Sequence, residues 1–243
     1  MSDYVIITDS SADLDQALVE QLDVRVVPLA LTLGGKTYRD WPDRRELDPK
    51  DFYARLRAGE VATTSAINVA DARAAIEPCF QAGQDVLFLA FSSGLSSTCQ
   101  AATLAAGELM EEYPGRTCCV VDTLCASLGQ GLLVYHTAMR KRAGASLAEA
   151  WDYAETTKLK LCHWFTVDDL HFLKRGGRIS AATAMLGTML SIKPVLHVDN
   201  DGHLISMSKA RGGRPPSRPW WTRPESLASI WRSRPSLSAT GTA

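Results

Sequence analysis

The sequence predicts an α/β protein with a mostly parallel sheet flanked by helices and a smaller α+β second domain. Three observations carry this. Short apolar runs alternate with helix-length amphipathic segments through the first two thirds of the chain. The apolar runs are continuous rather than alternating, as in strands buried on both faces. After residue 161 the rhythm changes to short strands around an Asp-Gly turn. A chain of 243 residues, 46% hydrophobic, is long enough for one large core or two modest ones.

The elements follow in order. Tyr4–Thr8 reads as a strand ending in Asp9-Ser10-Ser11, and Asp13–Leu22 as the next helix. Val24–Leu31 reads as one further strand, with a turn at Gly34-Gly35. Pro49 in a first-turn position opens a helix over Asp48–Ala58. Thr63-Thr64-Ser65 precedes a helix over Asn68–Gly83, which Gly83 ends. Val86–Phe91 is a strand, and Ser97–Glu112 a helix stopped by Pro114-Gly115. Thr117–Asp122 is the next strand, and helices over Leu128–Arg142 and Leu147–Leu159 follow. Beyond them lie a strand at His163–Val167, a short helix at Asp169–Lys174 and a small-residue helix at Ser180–Leu190. Lys193–Val198 and His203–Met207 form a hairpin around Asp199-Asn200-Asp201-Gly202. The domains are therefore 1–161, 162–211 and a tail at 212–243.

The totals exclude several classes. A net charge of −1 implies no polyanion partner, so no nucleic acid is expected. The six cysteines form no C-x-x-C pair and read as reduced, buried thiols of a cytoplasmic protein. Nothing approaches the ~20 apolar residues of a membrane span, so no stable membrane insertion is expected. No histidine pair has metal spacing, so no metal is expected, and no cofactor.

Function is expected where strands end. In open α/β sheets ligands sit beyond the carboxyl ends of the strands. Those ends are rich in hydroxyls here: Thr8-Asp9-Ser10-Ser11, Ser92 to Thr98, and Asp122-Thr123. Taken singly, each cluster is adequately explained as a helix cap. The 92–98 loop has more hydroxyls than a cap needs, and Gly94 within it would permit positive φ. Hydroxyls beside a helix N-terminus suit a phosphate or carboxylate. Catalytic patterns are incomplete. Gly35-Lys36-Thr37 lacks the first glycine of a P-loop, since Ala30 stands there. Gly94-Leu95-Ser96 lacks the second glycine of a nucleophile elbow, where Thr98 stands. His136 and His163 fall in apolar contexts and read as structural. Leu173–Ser180, "LKRGGRIS", is equally well a capped helix end or an anion contact.

Seven ordered segments carry a resemblance: "VIITDSSADL" (5–14), "VPLALTLGGKTYRD" (27–40), "TTSAINV" (63–69), "FSSGLSSTCQAA" (91–102), "VVDTLCASLGQGLLV" (120–134), "FLKRGGRIS" (172–180) and "LSIKPVLHVDNDGHL" (190–204). Together they resemble the DegV family, which includes the fatty-acid-binding subunits of bacterial fatty acid kinase. The resemblance implies a bound long-chain fatty acid between two domains, and a carrier rather than an enzyme. The carrier would present the carboxylate to a separate ATP-dependent kinase catalytic subunit for acyl phosphate formation. Carried over by position, Thr64 and Ser96 bind the carboxylate. Ser65, Ser93, Gly94 and Ser97 support the head group, and Arg178 and Arg211 face the kinase. The family reads S-G-T-Y where this chain has Ser96-Ser97-Thr98-Cys99, so Ser97 is expected to tighten the approach to ligand and Cys99 to remove an aromatic wall.

The resemblance stops at Arg211, and a family His-x-Gly-x-Gly type motif is not found beyond it. The tail that follows holds five prolines, five arginines and three tryptophans without periodicity. It reads as disordered, as a basic binding tail, or, as favoured here, as translation out of frame over a truncated second domain. The alternatives for function are a hydrolase or phosphotransferase using Ser96 or Asp9 covalently, and a non-functional truncated product.

Overall fold

The computed structural model describes residues 3–167, 170–178 and 192–211. The strands are β1 (Tyr4–Asp9), β2 (Val24–Val27), β3 (Ala30–Leu33), β4 (Lys36–Arg39), β5 (Ala62–Ser65), β6 (Asp85–Ala90), β7 (Cys118–Asp122), β8 (Trp164–Phe165), β9 (Ile192–Val198) and β10 (Leu204–Arg211). The helices are α1 (Gln16–Leu22), α2 (Pro49–Arg57), α3 (Val69–Gln81), α4 (Thr98–Glu112), α5 (Ser127–Arg142), α6 (Leu147–Thr157) and α7 (Leu170–Arg175).

The core is a parallel sheet in the order β2-β1-β6-β7. β1 and β6 are buried along their whole length, which is why apolar runs, Tyr4–Ile7 and Val86–Ala90, fill most of them. Alternate side chains serve opposite faces. Val5, Ile7, Val86 and Phe88 pack with Ile76, Phe80, Ala102 and Leu109 of α3 and α4. Tyr4, Ile6, Leu87 and Leu89 pack with Val134, Ala138, Ala150 and Ala154 of α5 and α6. Strand order reverses between β1 and β6, so their carboxyl ends, Asp9 and Ala90, flank the crevice where such sheets take ligands.

Helix ends follow the capping residues. Asp15 and Asp48 accept first-turn N–H groups, and Asn68 with Asp71 and Ser146 with Glu149 form reciprocal capping boxes. Gly83 ends α3 with φ 77°, and the Gln84 N–H reaches back to Cys79 O at 2.9 Å.

The expected strand over Val24–Leu31 is two strands in different sheets. β2 joins the parallel sheet, while β3 is central in an antiparallel sheet ordered β4-β3-β5. Pro28 lies between them and has no N–H for a ladder. The next N–H, that of Leu29, goes to Ser10 Oγ at 3.0 Å. Gly34 (φ 59°) and Gly35 (φ 77°) form the two-residue turn from β3 to β4. Thr63-Thr64-Ser65 is not a helix cap. It forms β5, paired with β3 so that Thr64 stands opposite Leu31.

The second unit is a three-stranded antiparallel sheet, β10-β9-β8, with α7 beside it. The Asp199–Gly202 hairpin forms as expected, with Asp199 Oδ1 accepting the Asp201 and His203 N–H groups. β8 is shorter than the strand expected at His163–Val167. The helix expected at Ser180–Leu190 and the tail at 212–243 lie outside the described residues.

Candidate functional site

A cavity of about 1080 Å³ opens between the two units. Its walls come from Phe52 and Leu56 of α2, Thr63 and Thr64 of β5, and Leu128 and Leu132 of α5. The segment 161–166, Phe172 and Leu173 of α7, Arg175, Arg178, and Val198 and Leu204 of the hairpin complete it. The volume is at the upper end of small-molecule sites, and the lining is mostly apolar with a few polar groups. Leu128 and Leu132 are 73% and 46% exposed. That α5 face turns to the cavity instead of the core.

The loop after β6 joins this cavity to the second unit. Phe91 and Leu95 line the cavity. Leu95 also packs on Val198 and Leu204, and its carbonyl accepts the Arg178 Nε–H at 3.2 Å. Ser92 is fully buried, and its hydroxyl donates to Gly202 O at 2.9 Å while accepting the Gly94 N–H at 3.2 Å. Gly94 is not at positive φ, contrary to expectation. A Cβ there would meet Asp201 O at 2.7 Å, so glycine is required by the backbone of the approaching hairpin.

The other residues assigned by position are placed as follows. Thr64 lies in the cavity wall on β5, and Ser65 follows it. The Ser96 hydroxyl sits 2.9 Å from Thr98 Oγ1 and accepts the Thr98 N–H at 3.2 Å, outside the cavity lining. The Ser93 N–H donates to Asp122 Oδ1 at 3.1 Å. Ser97 occupies the N-cap of α4, is exposed, and makes no side-chain cap. Arg178 lines the cavity. Arg211 ends β10, paired with Ile192. Cys99 does not wall the cavity. It packs against the core between the sheet and α3/α4, and burial pushes its thiol up to about 11.

Behind the loop lies a buried polar network. Asp9 Oδ2 accepts the Phe91 N–H at 2.8 Å and Gln130 Nε2 at 3.3 Å. Ser11 Oγ lies 2.5 Å from Asp9 Oδ1 and 2.7 Å from Gln130 Oε1. One hydroxyl proton cannot serve both oxygens. The Ser11 proton serves one of them at a time; a proton on Asp9 would let Asp9 donate to Ser11 and Ser11 to Gln130. Burial raises the Asp9 pKa in the same sense, against the lowering effect of its hydrogen bonds.

Sequence reasoning missed His163, which lines the cavity rather than serving the core. The signal was faint: a polar residue beside the Trp164-Phe165 strand, in a run without strict alternation.

The model for an uncharacterised protein family, DegV, matches residues 3–216. The chain belongs to the DegV family. A DegV domain-containing protein of Clostridium perfringens is 45% identical over 212 residues, 87% of this chain and 72% of that protein. A second from Lactococcus lactis is 38% identical over 209 residues, 86% of this chain and 72% of that one. Among solved structures, one describing fatty acid binding of a DegV family protein from Thermus thermophilus superposes with a TM-score of 0.77 at 36% identity. It covers 96% of this chain and 78% of its own. A stearic-acid-binding protein from Eubacterium ventriosum gives 0.78 at 27% identity, covering 86% and 71%. The DegV match runs five residues past Arg211, where the resemblance was expected to stop. Among the described residues no helix is long and apolar enough to cross a membrane.

Proposed function

We propose that this DegV-family chain is a carrier that binds a long-chain fatty acid in the cavity between its two units and presents the carboxylate to a separate ATP-dependent kinase. The cavity carries this reading: its volume, its mostly apolar wall and the outward-facing Leu128 and Leu132 suit a hydrocarbon chain. DegV relatives of known structure are described as fatty-acid-binding, which supports it. Each buried methylene contributes about 0.8 kcal/mol, so ~14 of them supply on the order of 11 kcal/mol before association costs. The carboxylate is assigned to Thr64 on the cavity wall and to Ser96, with Ser65, Ser93, Gly94 and Ser97 as head-group neighbours. Ser96 would have to exchange its bond to Thr98 for the ligand. Arg178 and Arg211 are assigned to the kinase face.

The enzymatic alternative fares worse. Both oxygens of the fully buried Asp9 are engaged in a polar network, and the Ser96 hydroxyl is engaged with Thr98. Native mass spectrometry of the purified chain tests the carrier reading. A co-purifying fatty acid supports it; a protein that neither retains nor takes up fatty acid overturns it. Acyl phosphate formation with a kinase subunit and ATP tests the partnership separately.

A further inference from the structure

We propose that Gly129 and His163 together set the bore of the cavity, and through it the longest acyl chain the protein accepts. The proposal rests on the fatty-acid reading above. Both residues line the cavity. Gly129 lies in the first turn of α5, and a Cβ placed on it would fall 2.3 Å from His163 Cε1, 2.5 Å from Nε2 and 2.7 Å from Nδ1. The imidazole is seated in the notch the glycine leaves. The backbone does not require glycine there, because Gly129 is helical and not at positive φ. A glycine inside a helix costs stability relative to alanine, so the space is what calls for it.

His163 has little freedom to yield at its backbone. Its carbonyl accepts the Val198 N–H at 3.3 Å and the His197 Nδ1–H at 2.8 Å. The His197 ring is held in turn against Trp164, with centroids 5.1 Å apart. A methyl on Gly129 therefore displaces the imidazole by side-chain rotation. The ring must move by more than about 1 Å to restore ordinary contact, and the open volume beside it is the cavity. Gly129 acts through His163 and is a positioning residue; His163 is the wall that meets the chain.

The test uses the full chain as wild type, Gly129→Ala, His163→Ala and the double variant. Each is titrated with saturated fatty acids from lauric to arachidic acid in competition with a fluorescent fatty acid, and thermal unfolding follows the fold. We expect Gly129→Ala to bind lauric acid as wild type does and to lose about tenfold in affinity for the longest acids. His163→Ala should bind the longest acids at least as well as wild type. The double variant should recover them, because the methyl then has room. A wild-type profile in Gly129→Ala, or a double variant as restricted as the single one, overturns the proposal. A wild type that binds none of the acids overturns the carrier reading and takes the proposal with it. Wild-type binding with an unchanged Gly129→Ala profile overturns the proposal alone.

Discussion

The hydroxyl of Ser92 donates to the carbonyl of Gly202 at 2.9 Å, with both residues buried. This bond ties the loop at the carboxyl end of β6 to the tip of the β9–β10 hairpin, and so joins the parallel sheet to the second unit. A Cβ on Gly202 would lie 2.0 Å from Ser92 Oγ, and Gly202 is at φ 77°. Gly202→Ala therefore combines a strained backbone with a clash inside a buried contact. It should destabilise by more than Ser92→Ala, which loses two hydrogen bonds and leaves the Gly202 carbonyl unpaired, about 1–3 kcal/mol. Urea midpoints of the two variants check the order; an equal or smaller loss for Gly202→Ala would sink it.

Thr64 and Ser96 differ in what they touch, and the two variants should differ accordingly. Thr64 lies in the cavity wall, whereas Ser96 Oγ holds the Thr98 N–H at the start of α4. If Thr64 holds the carboxylate as proposed, Thr64→Ala removes a hydrogen bond to a charged head, worth about 1.5–3 kcal/mol, and should weaken fatty acid binding roughly 10- to 100-fold without changing stability. Ser96→Ala should also lower the unfolding temperature, because a helix-start contact is lost. Binding titrations beside melting curves separate them.

Much of this arrangement was legible in the residues. Tyr4–Ile7 in β1 and Val86–Ala90 in β6 are apolar runs because helices cover both faces of the sheet, so these strands could be read directly. β5 was not legible: Thr63-Thr64-Ser65 has the composition of a cap, and only its pairing with β3 makes it a strand. The break at Pro28 was visible as a residue, but not the departure of β3 into a second sheet. The same limit applied to Gly94 and Gly129. Their neighbours, Asp201 and His163, come from distant parts of the chain, and no local pattern announces them.

Asp9 gives a pH dependence with a definite sign. Burial raises its pKa in the fold above the usual value of 3.8, so between the two values the folded state holds a proton that the unfolded state has released. The resulting stability is complete below the unfolded pKa and is lost as pH rises through the folded one. Asp9→Asn keeps an acceptor for the Phe91 N–H and cannot ionise. As pH rises above 3.8 the wild type should lose more stability than Asp9→Asn. Melting temperatures of both across that window decide it, and parallel curves would refute a protonated Asp9.

The cysteines supply a probe that reads the cavity without any partner. Of the six, Cys162 is the exposed one, and it lies in the cavity lining. Burial pushes the Cys99 thiol up to about 11 and the Cys125 thiol up to about 12, and raises Cys79, Cys118 and Cys119 as well. Thiolate is the reactive form, so these five should be slow toward a disulfide reagent in the native protein. One thiol should react fast, Cys162→Ser should abolish that phase, and saturating fatty acid should slow it by covering the same wall. Rapid labelling of several thiols would show that the core opens readily. A Cys162 phase indifferent to fatty acid would place the ligand elsewhere than the cavity beside it.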